Sequence, residues 1–159
     1  KLDVKENFPK KLTPIKVALF LSKKKADTYQ IKQRELLICA DTIVYQKSNI
    51  FGKPKSKKEA IQMLQTISGK KHYVVTGVTL KTNAKEVLFY ERSIVHFKKL
   101  SKSEILFYIN NYNPLDKAGS YGIQDWIGLI GVQKIQGSFY NVMGLPTAKL
   151  YEHICKLNK

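Results

Sequence analysis

Polar, irregular positions fill residues 1–12, and a periodic segment begins behind Thr13-Pro14. Thr suits a helix N-cap and Pro suits the first helical position. Ile15, Ala18, Leu19, Ala26 and Tyr29 then recur at helical spacing. The run Glu35–Tyr45 is β-rich and mostly apolar, so it predicts a buried strand, interrupted by Asp41-Thr42. Residues 46–52 predict a turn with Ser48-Asn49 at its tip. Ser56-Lys57-Lys58-Glu59 has the form of a capping box, with Ala60, Met63, Leu64 and Ile67 on one face behind it and Gly69 as the stop. Residues 72–82 and 86–100 predict two strands around a turn at Asn83-Ala84. Ser101–Glu104 repeats the capping signature before a helix that buries Ile105, Tyr108 and Ile109 and stops ahead of Asn113-Pro114.

The last third changes character. Gly119, Gly122, Gly128, Gly131, Gly137 and Gly144 crowd residues 116–144, which predicts loops and short strands. Pro146 opens a final helix with Leu150, Ile154 and Leu157 on one face. There is no internal repeat. Helices and strands alternating in this order place the chain in the α/β or α+β classes rather than among bundles or all-β barrels.

Composition supports one compact unit: 159 residues, 43% hydrophobic, 11% aromatic and five prolines are globular values and argue against disorder. Lys+Arg number 28 against 12 Asp+Glu, a formal charge of +16, which points to polyanionic partners. Two readings remain open, a nucleic-acid-binding face and lysines spread over solvated surface. Arg34 and Arg92 are the only arginines, and arginine is the residue best suited to reading bases and forking phosphates. The densest lysine runs, Lys23–Lys25 and Lys53 to Lys58, are short. Cys39 and Cys155 lack metal-ligand spacing and predict free thiols in a reducing compartment. No apolar stretch is long enough to span a bilayer and no secretory signal opens the chain, so the expected location is the cytoplasm.

Three segments carry candidate chemistry. Asp41 lies inside an apolar strand, where an ionised carboxylate is costly unless paired or bound to a metal. It is read either as a metal ligand or water activator at a strand end, or as a cap on a neighbouring loop. Gly52-Lys53-Pro54 holds a compact phosphate-binding charge on a constrained loop, or a solvated turn lysine; the spacing is not that of a Walker loop. Asp116-Lys117-Ala118-Gly119 sets an acid beside a base at the mouth of the glycine-rich region, suited to a metal phosphate or to capping a helix. His72, His96 and His153 form no constellation. Trp126, Tyr121, Tyr140 and Phe139 include rings that would stack a base or pack the core.

In combination these segments resemble the Maf family of nucleotide pyrophosphatases. The matching pieces are Ala40-Asp41-Thr42-Ile43-Val44, Gly52-Lys53-Pro54, the capped helix ending Leu64…Ser68-Gly69-Lys70, and His72…Thr76-Gly77-Val78. They continue with Asp116-Lys117-Ala118-Gly119-Ser120-Tyr121-Gly122-Ile123-Gln124 and Gly137-Ser138…Asn141-Val142-Met143-Gly144-Leu145-Pro146. They keep the family's order over nearly the whole chain. The resemblance implies a single Maf-like domain over residues 1–159, with an elongated mixed β-sheet flanked by helices and two lobes around a cleft, similar to inosine triphosphate pyrophosphatases. It implies Mg²⁺- or Mn²⁺-dependent hydrolysis between the α- and β-phosphates of a nucleoside triphosphate, and a homodimer. Asp41 matches the family's proton acceptor, Lys25 and Lys53 its phosphate contacts, and Lys117 joins them as a phosphate-binding candidate. Glu6, Asp41 and Asp116 are the implied metal ligands. Thr42 and Gln124 match positions diagnostic of the dTTP/UTP branch rather than the 7-methyl-GTP branch. One departure is plain: the family opens with a strand and a Ser-x-Ser-Pro-Arg-Arg loop, and this sequence contains no such motif, so a missing segment of a normal protein is expected.

Three functions compete at this stage. A pyrimidine nucleoside triphosphate pyrophosphatase requires Asp41, Lys53 and Asp116 around one cleft. A nucleic-acid-binding module requires a continuous basic surface and steep salt dependence. A cell-division regulator would bind nucleotide without turnover.

Overall fold

The structure, a computed structural model, describes Val4 and residues 6–157. Thr13 caps the first helix, α1 (Pro14–Asp27), by accepting from the Lys16 N–H, and Lys24 and Lys25 sit in its last turn, where the helix dipole favours cations. The apolar run becomes β1 (Leu37–Gln46). The predicted turn after it is a tight hairpin: Lys47 adopts φ 54° and the chain returns as β2 (Asn49–Phe51). Helix α2 (Lys57–Ile67) starts on Ser56, whose side chain accepts from Glu59 N–H. The reciprocal half of the expected capping box is displaced by one residue, because Glu59 accepts from the Lys55 N–H instead of that of Ser56. Strands β3 (Lys71–Lys81) and β4 (Glu86–Phe97) form the predicted hairpin. Helix α3 (Lys102–Tyr112) does close its capping box, Ser101 with Glu104, and ends on Asn113 at φ 44°.

The glycine-rich region is more regular than its composition suggests. Two 3₁₀ turns, Pro114–Asp116 and Ala118–Ser120, lead to α4 (Trp126–Gly131), β5 (Val132–Gln136) and α5 (Phe139–Met143). Gly128 and Gly131 lie inside α4 itself, so the glycines serve close packing there as much as turning. Helix α6 (Thr147–Leu157) closes the described chain.

The five strands form one sheet in the order β2-β1-β3-β4-β5. The α/β class with helices on a central sheet matches the sequence reading. The finer expectation of a mixed sheet does not, since all four neighbouring pairs among the described residues are antiparallel. Apolar periodicity marks a strand but carries no record of its partner's direction.

Side chains alternate across this sheet, and the alternation positions the site. On one face Ile43, Tyr45 and Val75 pack against Val17, Ala18 and Leu21 of α1. On the other, Val44 and Val74 join Leu64 and Ile67 of α2 and Ile105, Tyr108 and Ile109 of α3. Further along, Val78, Leu80 and Phe89 pack with Leu150, Ile154 and Leu157 of α6. Each fully buried Leu or Ile here contributes about 1.5–3 kcal/mol. Gly77 sets the distance of α1: a Cβ there would lie 2.4 Å from the Ala18 carbonyl carbon. Strand β2 pairs only with Val44–Gln46, so β1 from Leu37 to Ile43 has β3 on one side and no strand on the other among the described residues.

Candidate active site

A cavity of about 340 Å³ opens along that unpaired stretch of β1 and reaches both faces of the sheet. All eight residues singled out from the sequence, Glu6, Lys25, Asp41, Thr42, Lys53, Asp116, Lys117 and Gln124, line it. Asp41 and Thr42 are adjacent in β1 and therefore enter it from opposite faces.

On the α1 face the site is ionic. Asp41 is 7% exposed and sits opposite Gly77 in the register of β1 and β3. Because Gly77 lets α1 lie close, the last turn of α1 carries Lys25 over the strand, and its ammonium donates to Asp41. Lys25 Nζ is also 3.4 Å from Glu6 Oε1, and Glu6 Oε1 accepts from Lys53 Nζ at 2.5 Å. Two carboxylates and two lysines thus alternate around one point. Burial pushes the Asp41 carboxyl above the usual aspartate range; Lys25 pulls against this without cancelling it, and Glu6 adds to the rise. Burial opposes the Lys25 charge, but Asp41 and Glu6 outweigh it and hold the ammonium above the usual lysine range. Burial also works against Glu6, yet its hydrogen bond to Lys53 and the nearby Lys25 charge hold it below the usual glutamate range. Asp41 is the deepest of the three and carries the largest unrelieved desolvation, as expected of a carboxylate poised as a base.

The loop over residues 114–125 forms the facing wall. Gly119, at φ +70°, donates its N–H to the Gly52 carbonyl at 3.1 Å and so fastens this loop to the one bearing Lys53. A Cβ at Gly119 would meet Val44 Cγ1 at 2.9 Å. Asp116 and Lys117 at the mouth pair at 3.0 Å. Behind them Tyr121 bonds His72 Nε2 at 2.8 Å. Burial and the neighbouring His96 push His72 down to about 4, so its ring is neutral at physiological pH, and burial raises the Tyr121 phenol. The Tyr108 hydroxyl accepts from Gly122 N–H at 3.1 Å and donates to Asp125 Oδ2 at 2.6 Å, clasping the segment that presents exposed Gln124.

The Asp41–Glu6 pair has the donor chemistry of a magnesium or manganese site. Both are hard carboxylate oxygens, and they already share one cation, the Lys25 ammonium. Mg²⁺ is commonly held by one or two carboxylates with substrate phosphates and water completing the shell. Among the described residues no three His, Cys, Asp or Glu side chains converge into a fuller cage, so Asp116 lines the same cavity without joining that pair.

Of the four aromatics considered for base stacking, Tyr121 lines the cavity. Trp126 tilts against Phe107 at 4.7 Å between centroids, and Phe139 and Tyr140 meet edge to face. Phe8, Met143, and the Thr76 and Asn141 side chains behind Thr42 were not among the candidate site residues, although the last three fall in the matching segments. Thr76 and Asn141 are polar residues in apolar settings, but their relevance depends on strand register.

The family model described as Maf-like protein matches residues 1–157. A protein of Bacteroides thetaiotaomicron named dTTP/UTP pyrophosphatase is 47% identical over 157 residues, 98% of this chain and 81% of the relative. Proteins of the same name from Flavobacterium johnsoniae (45% identical, 98% of this chain, 81% of the relative) and Cytophaga hutchinsonii (47%, 98% and 72%) are similarly related.

Proposed function

The chain belongs to the Maf-like protein family, and from that premise we propose that its cavity hydrolyses dTTP and UTP to the nucleoside monophosphate and pyrophosphate, with Asp41 as the base. The observation that carries this reading is the buried carboxylate of Asp41, raised above its usual range, in one cavity with Lys25, Lys53 and Gln124.

The chemistry follows from the two walls. Lys25, Lys53 and Lys117 receive the triphosphate as point charges, which neutralise the negative charge that builds as the anhydride breaks. Binding of the phosphates draws Lys25 from Asp41 and leaves the carboxylate facing a water. Asp41 takes that water's proton as its oxygen attacks the α-phosphorus; the bond from that phosphorus to the α–β bridging oxygen breaks, and pyrophosphate leaves with the electron pair. Glu6 and Asp41 would hold Mg²⁺ or Mn²⁺ brought with the substrate, and Asp116 at the mouth is the third candidate for the metal phosphate. When bound, the metal supplies Lewis-acid neutralisation of the phosphate oxygens. Thr42 and Gln124 read the nucleoside, Gln124 offering both a donor and an acceptor to a pyrimidine edge.

The reading treats residues 1–159 as one Maf-like domain and places the protein in the cytoplasm. Cys39 and Cys155, both free, fit that placement, and no helix among the described residues is long and apolar enough to cross a membrane. It also assigns a homodimer, for which the exposed Phe139, Tyr140 and Met143 of α5 offer an apolar surface. Nucleic acid is not the assigned partner. The test is product analysis with UTP and Mg²⁺: UMP and pyrophosphate support the reading, and UDP with orthophosphate, or no turnover by the full-length protein, refutes it.

A further inference from the structure

Thr42 faces the cavity with a hydroxyl whose hydrogen is already committed. Across the strand pair it sits opposite Thr76, and the two Oγ1 atoms are 2.9 Å apart. Thr76 is fully buried and its Oγ1 lies 3.0 Å from the backbone carbonyl oxygen of Asn141. A carbonyl has no hydrogen to give, so that contact is a hydrogen bond only if Thr76 donates. A hydroxyl has one hydrogen. Thr76 can therefore only accept from Thr42, and Thr42 donates inward. The opposite arrangement would set two oxygen lone pairs together at 3.0 Å in a buried site.

The carbonyl that sets this direction is held in place from behind. Asn141 is fully buried in the middle of α5, and its side-chain amide donates to the Val74 carbonyl at 3.2 Å and to Ser93 Oγ at 2.9 Å. Ser93 donates in turn to the Ser138 carbonyl at 3.0 Å, and Ser138 Oγ accepts from Asn141 N–H at 3.2 Å. Flipping the amide would set its oxygen against the Val74 carbonyl. The Gly144 N–H, beside Thr42, is already donated to the Asn141 carbonyl at 3.0 Å and leaves Thr42 without a backbone donor from that residue.

We propose that Thr76, held by Asn141, is a positioning residue that makes Thr42 an obligate hydrogen-bond acceptor, so that the site selects nucleosides presenting an N–H or O–H donor at that point. The inference rests on the reading above in taking the ligand as a nucleotide. The donor has two sources, the imide N3–H of uracil or thymine and a sugar hydroxyl. Cytosine, whose N3 is an acceptor, lacks the first, and 3′-deoxy-UTP lacks the 3′-hydroxyl.

The test compares kcat/KM of the full-length enzyme for UTP, CTP and 3′-deoxy-UTP in wild type, Thr76→Val, Thr76→Ser and Thr42→Val. Wild type should penalise CTP or 3′-deoxy-UTP by at least about tenfold, and the penalised one identifies the donor. Thr76→Val frees the Thr42 hydrogen to turn toward the ligand, so that penalty should fall several-fold, while Thr76→Ser should keep it. Each is a ratio between substrates on one preparation, so partial unfolding does not move it. If Thr76→Val fails to fold, Thr42→Val carries the same test, since loss of the acceptor must reduce the preference several-fold. Binding of the non-hydrolysable α,β-methylene analogues reads the same ratios without turnover, so an absence of hydrolysis would sink the underlying reading alone. Wild type indifferent to both changes, Thr76→Val discriminating like wild type, or Thr76→Ser behaving like Thr76→Val would each overturn the proposal.

Discussion

Asp41 and Thr42 are consecutive residues of one strand, line one cavity, and occupy opposite chemical settings. Asp41 faces α1 at the end of a chain of full charges in which burial is incompletely offset by Lys25. Thr42 faces α5 through neutral hydroxyls and an amide, where every donor is matched to an acceptor and one acceptor, Asn141 Oδ1, is left over. The ionic face holds its tension in a carboxylate that burial pushes above the usual aspartate range while Lys25 pulls it back. The neutral face holds order, with directions of donation fixed by a buried network. The first arrangement suits chemistry on phosphates and the second suits recognition, and the alternation of a β-strand keeps them apart.

If the ionic face does the chemistry, its deepest group must matter most. Asp41→Asn is expected to lower kcat by about 10²–10⁴-fold with the fold retained by circular dichroism. Turnover near wild type would remove Asp41 from its role. The pH profile sharpens the same point. The base must be ionised, so kcat/KM should rise with pH through a midpoint above the usual aspartate range. In Lys25→Met, which removes the cation opposing protonation, that midpoint should move higher still; an unmoved midpoint would show that Asp41 is not the titrating group.

Lys53→Ala comes next. It removes a charged contact without touching the base, so kcat/KM should fall about 10–100-fold, mostly through KM. Unchanged constants would place Lys53 outside the phosphate path. Gly77→Ala attacks the seat of α1 without changing any charge. The added Cβ would collide with the Ala18 backbone, and urea unfolding should show a loss of about 1–3 kcal/mol. A variant as stable as wild type would mean that α1 has room to shift. The smallest effect belongs to base reading from the facing loop: Gln124→Ala should reduce the preference for UTP over GTP about tenfold while sparing kcat on UTP. An unaltered preference would refute a base-reading role.

Some of this was legible in the sequence for reasons that are physical. Asp41 stood out because a carboxylate in an apolar strand demands an explanation, and Thr13, Ser101 and Glu104 announced helix ends through their capping chemistry. Elements over 126–143 were obscured because the same glycines that suggest loops also permit the close packing of α4, where a Cβ on Gly128 would sit 2.0 Å from the Ile123 carbonyl oxygen. The antiparallel pairing of the described strands was not legible, because strand direction resides in the partner and not in the strand. The pairing of Lys25 with Asp41 depends on how closely α1 lies over Gly77, and the Thr42–Thr76–Asn141 relay depends on register across two strands and a helix. Neither is written in local spacing.

The most direct test of the account is the identity of the bond broken, followed with UTP in ¹⁸O-labelled water and Mg²⁺ using the full-length protein. The account predicts label in UMP, none in pyrophosphate, and loss of both products in Asp41→Asn. Label in pyrophosphate or orthophosphate, or unchanged product formation by Asp41→Asn, would contradict it.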